Sequence, residues 1–189
     1  MIIVVSLSSQ YPSLHDMEFL YPVTRILEKE NYKFSIMHYS FPRMEAVEEA
    51  ECVILCGSAL GDEKVLGELE KFHWMKTFPG YILGIGTGAN VLSLIFDGGV
   101  EECLGIGMAR LCLTEQGRND NLLGDMDGKE VFSIHTHAPV IPENFVALAS
   151  TSGCTQCFVG LERIYGILFH PEVRHESLLA RFCGLYDVI

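Results

Sequence analysis

The stretch "YILGIGTGANVLSLIFDGG", Tyr81 to Gly99, decides how the rest of the chain is read. Its first residues are apolar without interruption, as in a strand buried on both faces. Glycines at 84, 86 and 88 then turn the chain sharply, and Thr87 to Phe96 reads as a helix. In such a turn the apex residue takes a strained backbone, its flanks stay small so that strand and helix can approach, and the helix N-terminus aims amides at the apex. This is the shape of a nucleophile elbow, and its apex is Gly86. A glycine-rich turn also serves as a plain connection in doubly wound proteins, so other residues must decide.

The N-terminal half repeats the same strand-then-helix grammar. "MIIVVSL" is a β-branched run, and Pro22 fits the first turn of a helix whose Val23, Ile26 and Leu27 face inward, up to about Lys29. "YKFSIMHY" alternates as a second strand and "AECVILCG" (Ala50 to Gly57) is a third. "DEKVLGELEKFHWM" after it reads as an amphipathic helix. Strand and helix alternating in this way predict a parallel sheet with helices on both faces, a three-layer α/β/α fold with ligands at the carboxyl ends of the strands. The second half changes character: short runs from Gly98, an Asp127-Gly128 turn, then strands in "KEVFSIH", "FVALAST", "QCFVGL" and "IYGILFH", and a closing helix in "HESLLARFCGLY", His175 to Tyr186. These predict a small antiparallel β extension. With 189 residues, 49% hydrophobic content and no linker or repeat, residues 1–189 are expected to form one domain.

Composition narrows the partners. A formal net charge of −12 leaves no basic face to follow phosphates, which argues against nucleic acid and anionic membranes. No apolar run reaches a membrane-spanning length, and "MIIVV" lacks a basic leader and cleavage site, so a cytoplasmic location is expected. The seven cysteines, at 52, 56, 103, 112, 154, 157 and 183, do not read as a secreted disulfide framework and are expected mostly as small buried hydrophobes. Cys154 and Cys157 form a lone CxxC, and a metal site would need a second pair, so neither metal nor cofactor is expected.

The second half of the candidate site lies in "IYGILFHPEVRHES", where a strand ends in His170-Pro171-Glu172. A carboxylate two residues after the histidine can orient the imidazole and support its positive charge, the base and orienter of a triad. Elbow and His-Pro-Glu together resemble the class I, triad-type glutamine amidotransferases, most closely the glutaminase part of GMP synthase. "YGILFHPEVRH" (Tyr165 to His175) matches the family's "YGxQFHPEV.H", "GIGTGAN" stands at its elbow G-x-C-x-G-H-Q, and "FDGG" at the G-G that follows. "CGSALG" (Cys56 to Gly61) resembles its "SGGPGS" loop, "VFSIHTH" (Val131 to His137) its "VWMSHGD", and "PENF" its "LPEGF".

The resemblance implies a flavodoxin-like fold and a cysteine that attacks the side-chain amide of glutamine, with the released ammonia passed to a synthetase in purine biosynthesis. His170 and Glu172 match the base and its orienter. The oxyanion donors would be backbone amides of Thr87 and of the Gly57-Ser58 loop. Gly86 stands where the family has its cysteine. Asn90 follows at the place of a substrate-holding glutamine, and Thr136-His137 replaces Gly-Asp beside the substrate, with His135, His137 and His175 as a polar rim. A glycine has no atom to form an acyl-enzyme, so ordinary glutaminase activity is expected to be lost. Two readings stay open: a silent homologue that binds a small amide or amino-acid ligand, a synthetase-type partner subunit or a second copy, or an enzyme of altered chemistry using Cys56 or a water activated by His170.

Overall fold

The computed structural model describes residues 1–9, 12–151 and 153–185. Its strands are β1 (Ile2–Ser6), β2 (Phe34–His38), β3 (Cys52–Leu55), β4 (Tyr81–Ile85), β5 (Gly99–Arg110), β6 (Cys112–Leu113), β7 (Glu130–Val140), β8 (Val146–Thr151), β9 (Cys154–Gly160) and β10 (Ile164–Ile167). The α-helices are α1 (Pro12–His15), α2 (Tyr21–Lys29), α3 (Met44–Glu48), α4 (Thr87–Ile95), α5 (Glu115–Arg118), α6 (Pro171–Arg174) and α7 (Glu176–Gly184). One turn of π-helix, Asp16–Leu20, joins α1 to α2.

Eight strands form one sheet in the order β2-β1-β3-β4-β10-β9-β8-β6. The first five are mutually parallel, and β9, β8 and β6 continue the sheet antiparallel. Alternation along the parallel strands divides the core between two faces. Ile2, Val4, Ile54, Leu83 and Ile85 pack with α2 and α7, while Ile3, Val5, Val53, Leu55 and Ile82 pack with α4. This is the flavodoxin-like α/β/α arrangement with an antiparallel extension. A separate antiparallel ribbon, β5 with β7, carries a one-residue irregularity between Glu102 and Gly105.

Three expectations are corrected. The segment read as one amphipathic α-helix forms two 3₁₀ helices, Lys64–Gly67 and Leu69–Lys76. Its inward residues Leu66, Leu69, Phe72, Met75 and Phe78 recur every three positions. A three-residue turn stacks such a series on one line, whereas an α-helix would rotate it away from the core. The region from Gly98, read as short runs, contains the twelve-residue β5. Cys103 and Cys154, expected as small buried hydrophobes, are joined in a disulfide between β5 and β9. Cys52, Cys56, Cys157 and Cys183 are buried, and Cys112 is exposed. The closing helix ends at Gly184, and Tyr186, placed in it from sequence, lies outside the described residues.

Candidate active site

The elbow is built by close backbone contact. Gly86 sits at φ 54°, ψ −118°, just before α4, a combination that side-chain-bearing residues rarely adopt. A Cβ on Gly84 would lie 2.4 Å from the carbonyl oxygen of Gly88, and one on Gly88 would lie 2.7 Å from that of Leu55. The small flanks are therefore what lets α4 seat against β4 and β3. α4 begins at Thr87, so the amides of Thr87 and Gly88 have no partner within the helix, while the Ala89 amide donates to the Gly86 carbonyl at 2.9 Å.

The second component arrives from β10, the neighbour of β4 in the sheet. Ile167 pairs with Ile85, and the Gly86 amide donates to the Ile167 carbonyl at 2.8 Å. Three residues later the His170 amide donates to the Phe132 carbonyl at 2.8 Å, which fixes the start of α6 beside β7. The His170 side chain is 2% exposed, and its Nδ1 lies 2.7 Å from Glu172 Oε1, itself on a buried side chain. A carboxylate oxygen only accepts, so Nδ1 carries a hydrogen, and in the neutral ring Nε2 presents a lone pair. Among the described residues Nε2 and Glu172 Oε2 have no hydrogen-bond partner. The ring lies between two glycines: a Cβ on Gly86 would stand 3.0 Å from its Cε1 and Nε2, and one on Gly57 would stand 2.6 Å from Cε1. Phe19 and Phe132 close round it, with ring centroids 5.6 and 6.5 Å away.

The other residues named from sequence divide into those gathered at the site and those apart from it. Ser58 and Thr87 share a hydrogen bond of 2.8 Å between their hydroxyls, and Ser58 also donates to the Asp62 carbonyl at 2.9 Å. Beyond them a small cavity is lined by Ser58, Thr87, Asn90, His135, Thr136 and His137, among others, and its volume is about 10 Å³. That is room for roughly one water molecule. Asn90 donates to the His137 carbonyl at 3.3 Å, and its buried Oδ1 has no partner among the described residues. His135 bonds the Cys103 carbonyl at 2.8 Å through Nδ1. Burial holds its pKa below the usual value, against that backbone bond and helped by nearby His170. His175 stands apart, bonded to the Glu130 carbonyl at 2.8 Å. Cys56 is fully buried in the core on the α2 face. Burial pushes its thiol well above the usual value, and the charges of Glu172 and Asp16 push it the same way.

Two residues that sequence reasoning passed over shape this site. Glu63 accepts from the Thr136 hydroxyl and lies 2.8 Å from His137 Nδ1, so it closes the cavity from the far side. Burial raises the Glu63 pKa, but the bonds from Thr136 and His137 outweigh it and the net shift is downward. His15 lies 2.9 Å from the Gly57 carbonyl through Nε2 and braces the loop beneath His170. Glu63 lies in the stretch read as an amphipathic helix, where an acidic residue near the start carries no site signal, and His15 stands in no motif. Among the described residues no helix is long and apolar enough to cross a membrane.

No family profile matches the chain. It is 32% identical over 160 residues to a glutamine-hydrolysing GMP synthase of Bacteroides fragilis, covering 81% of this chain and 30% of that protein. It is 30% identical over 139 residues to a separate subunit of the glutamine-hydrolysing GMP synthase of Methanobrevibacter smithii, covering 71% of this chain and 73% of that one. The chain thus spans between 22% and 36% of the full-length synthases it matches, and most of the separate subunit. A solved structure assigned to the corresponding GMP synthase subunit of Thermoplasma acidophilum superposes with a TM-score of 0.84 at 22% identity, covering 99% of this chain and 94% of that one. The last agreement speaks for the fold, and the subunit match in sequence speaks for descent: the chain belongs to the glutamine amidotransferase family of GMP synthase glutaminase subunits.

Proposed function

We propose that this protein is a glutaminase-subunit homologue that no longer hydrolyses glutamine and acts by binding, as one unit over residues 1–189. The observation that carries this reading is the pairing of His170 with Gly86. A histidine oriented by Glu172 offers a proton-accepting Nε2, and the residue facing it has no side-chain atom to activate. No neighbour supports a replacement: the Cys56 thiol is buried and held protonated, and the Ser58 and Thr87 hydroxyls are engaged with each other. Loss of a triad nucleophile lowers turnover on the order of 10⁶-fold, and oxyanion donors recover little of it.

The ligand in this reading is a small amide or amino acid admitted when Glu63 releases Thr136 and His137. The partner is a synthetase-type chain, of the kind that relatives made as separate GMP synthase subunits call for. The test is ammonia release from glutamine by the chain alone and in the presence of a GMP synthetase-type partner. Release at the uncatalysed rate in both supports the reading, and enzymatic turnover in either removes it. The unpartnered Nε2 favours one second reading, in which His170 activates a water for slow amide hydrolysis. Any such activity would vanish in His170→Ala.

A further inference from the structure

β5 is one half of the two-stranded ribbon, and not one of its twelve residues is buried. One edge of β5 pairs with β7, and among the described residues no strand pairs with the other. Long open edges invite pairing with another chain, and proteins usually guard them with lysine, proline or brevity. Here "GVEECLGIGMAR" has no proline and no lysine, and its one irregularity falls before Gly105, which leaves Gly105 to Arg110 in regular register. Leu104, Ile106 and Met108 are instead 72%, 65% and 46% exposed and alternate along one face, separated by glycines. The strand is also held in place: Cys103 is bonded to Cys154, and its carbonyl is held by His135. A fixed edge loses less entropy on association than a loose one.

The charges on this strand say what fits it. Exposed Glu101 and Glu102 lie at its start and exposed Arg110 at its end, with no charge between them. An antiparallel copy of β5, related by a two-fold axis at Ile106, sets Leu104 opposite Met108, Ile106 opposite Ile106, and Arg110 against the Glu101-Glu102 pair. A parallel arrangement would set like charge against like. We propose that β5 is a self-association edge through which two copies of this chain form a two-fold dimer. The two β5–β7 ribbons then join into one four-stranded antiparallel sheet with an isologous contact. The acidic chain repels its copy over most of its surface, and the Arg110–glutamate pairing makes this edge the exception.

Sedimentation velocity on the full chain at mid-micromolar concentration tests the proposal. The native chain sediments as a dimer. Ile106→Lys sets two ammonium groups face to face on the axis and raises the dissociation constant at least about tenfold, equivalent to ~1.4 kcal/mol, and an unchanged thermal melt shows that the exposed substitution leaves the fold intact. Arg110→Glu weakens the dimer as well, and adding Glu101→Lys and Glu102→Lys to it restores association. A monomeric native chain, a dimer indifferent to Ile106→Lys, or a triple variant no better associated than Arg110→Glu alone would each overturn the proposal.

Discussion

The imidazole of His170 rests where a side chain on Gly86 would begin, its Cε1 and Nε2 both 3.0 Å from the Cβ position. The base therefore borders the empty apex directly, with no gap that a thiol could fill unopposed. Replacing the glycine takes more than adding an atom, because the ring has to yield by a few tenths of an ångström and the backbone has to hold φ 54° with a Cβ present.

For Gly86→Cys the expected outcome is a loss of about 1–3 kcal/mol in stability, the range for a residue held in a sparsely populated backbone region. The new thiol, enclosed against Nε2, reacts with iodoacetamide more slowly than exposed Cys112 near neutral pH. Glutamine turnover stays at background, since the cavity beyond the elbow holds roughly one water. Urea denaturation, alkylation rates and an ammonia assay check the three parts. Glutaminase activity in this single variant would mean that the site opens readily.

In the native chain without reductant, Cys112 is the thiol that alkylates quickly. Cys52, Cys56 and Cys157 are buried and pushed well above the usual thiol pKa by burial first, so they label only on unfolding. Mass spectrometry of tryptic peptides after timed labelling reads this directly. Rapid labelling of Cys56 would revive it as a nucleophile.

Glu63→Ala removes the acceptor shared by Thr136 and His137 and enlarges the cavity by the volume of the lost carboxyl group. The pair is partly exposed, so the stability change stays within about 1 kcal/mol. Ligand affinity is expected to respond more strongly than stability. Glutamine or glutamate raises the melting temperature of the variant more than that of the native chain, and equal shifts would show that Glu63 does not close the site.

Stability should fall as the medium becomes mildly acidic. His135 keeps a lowered pKa in the folded state, mainly through burial, so below pH about 6.5 the unfolded chain takes up a proton that the folded chain refuses. The loss grows until the lower folded value is passed, and His135→Gln flattens that part of the profile. Glu63 acts in a separate window. Its stabilising contribution is full above about 4.5 and disappears as pH falls through its lowered folded value. Denaturation midpoints between pH 4 and 8 for the two forms separate these effects.

The parallel half of the fold was legible because its strands are apolar runs, or in β2 an alternating one, bounded by turn residues, and the elbow because Gly84 and Gly88 leave no room for side chains. His170 and Glu172 were legible because two residues suffice to set their geometry. The 3₁₀ segment was not, since Leu66, Leu69, Phe72, Met75 and Phe78 satisfy an amphipathic reading until the three-residue spacing is followed through its full length. β5 was missed because its large apolar residues, Leu104, Ile106 and Met108, take the exposed positions while Gly105, Gly107 and Ala109 take the half-buried ones, the reverse of the pattern that marks a half-buried strand. Glu63 meets Thr136 across 73 residues and Cys103 meets Cys154 across 51, and spacing in one chain carries no signal for such meetings.

Glu63 is also the residue at which the first 3₁₀ turn, Lys64–Gly67, begins. Such turns have poorer hydrogen-bond geometry than α-helices and open at lower free energy. Letting the cavity breathe would need only one short turn to unwind, with the flanking strands undisturbed. In hydrogen exchange the amides from Glu63 to Glu68 would then trade with solvent long before those of β3 and β4. The entrance and the elbow would differ in lifetime by orders of magnitude while standing side by side.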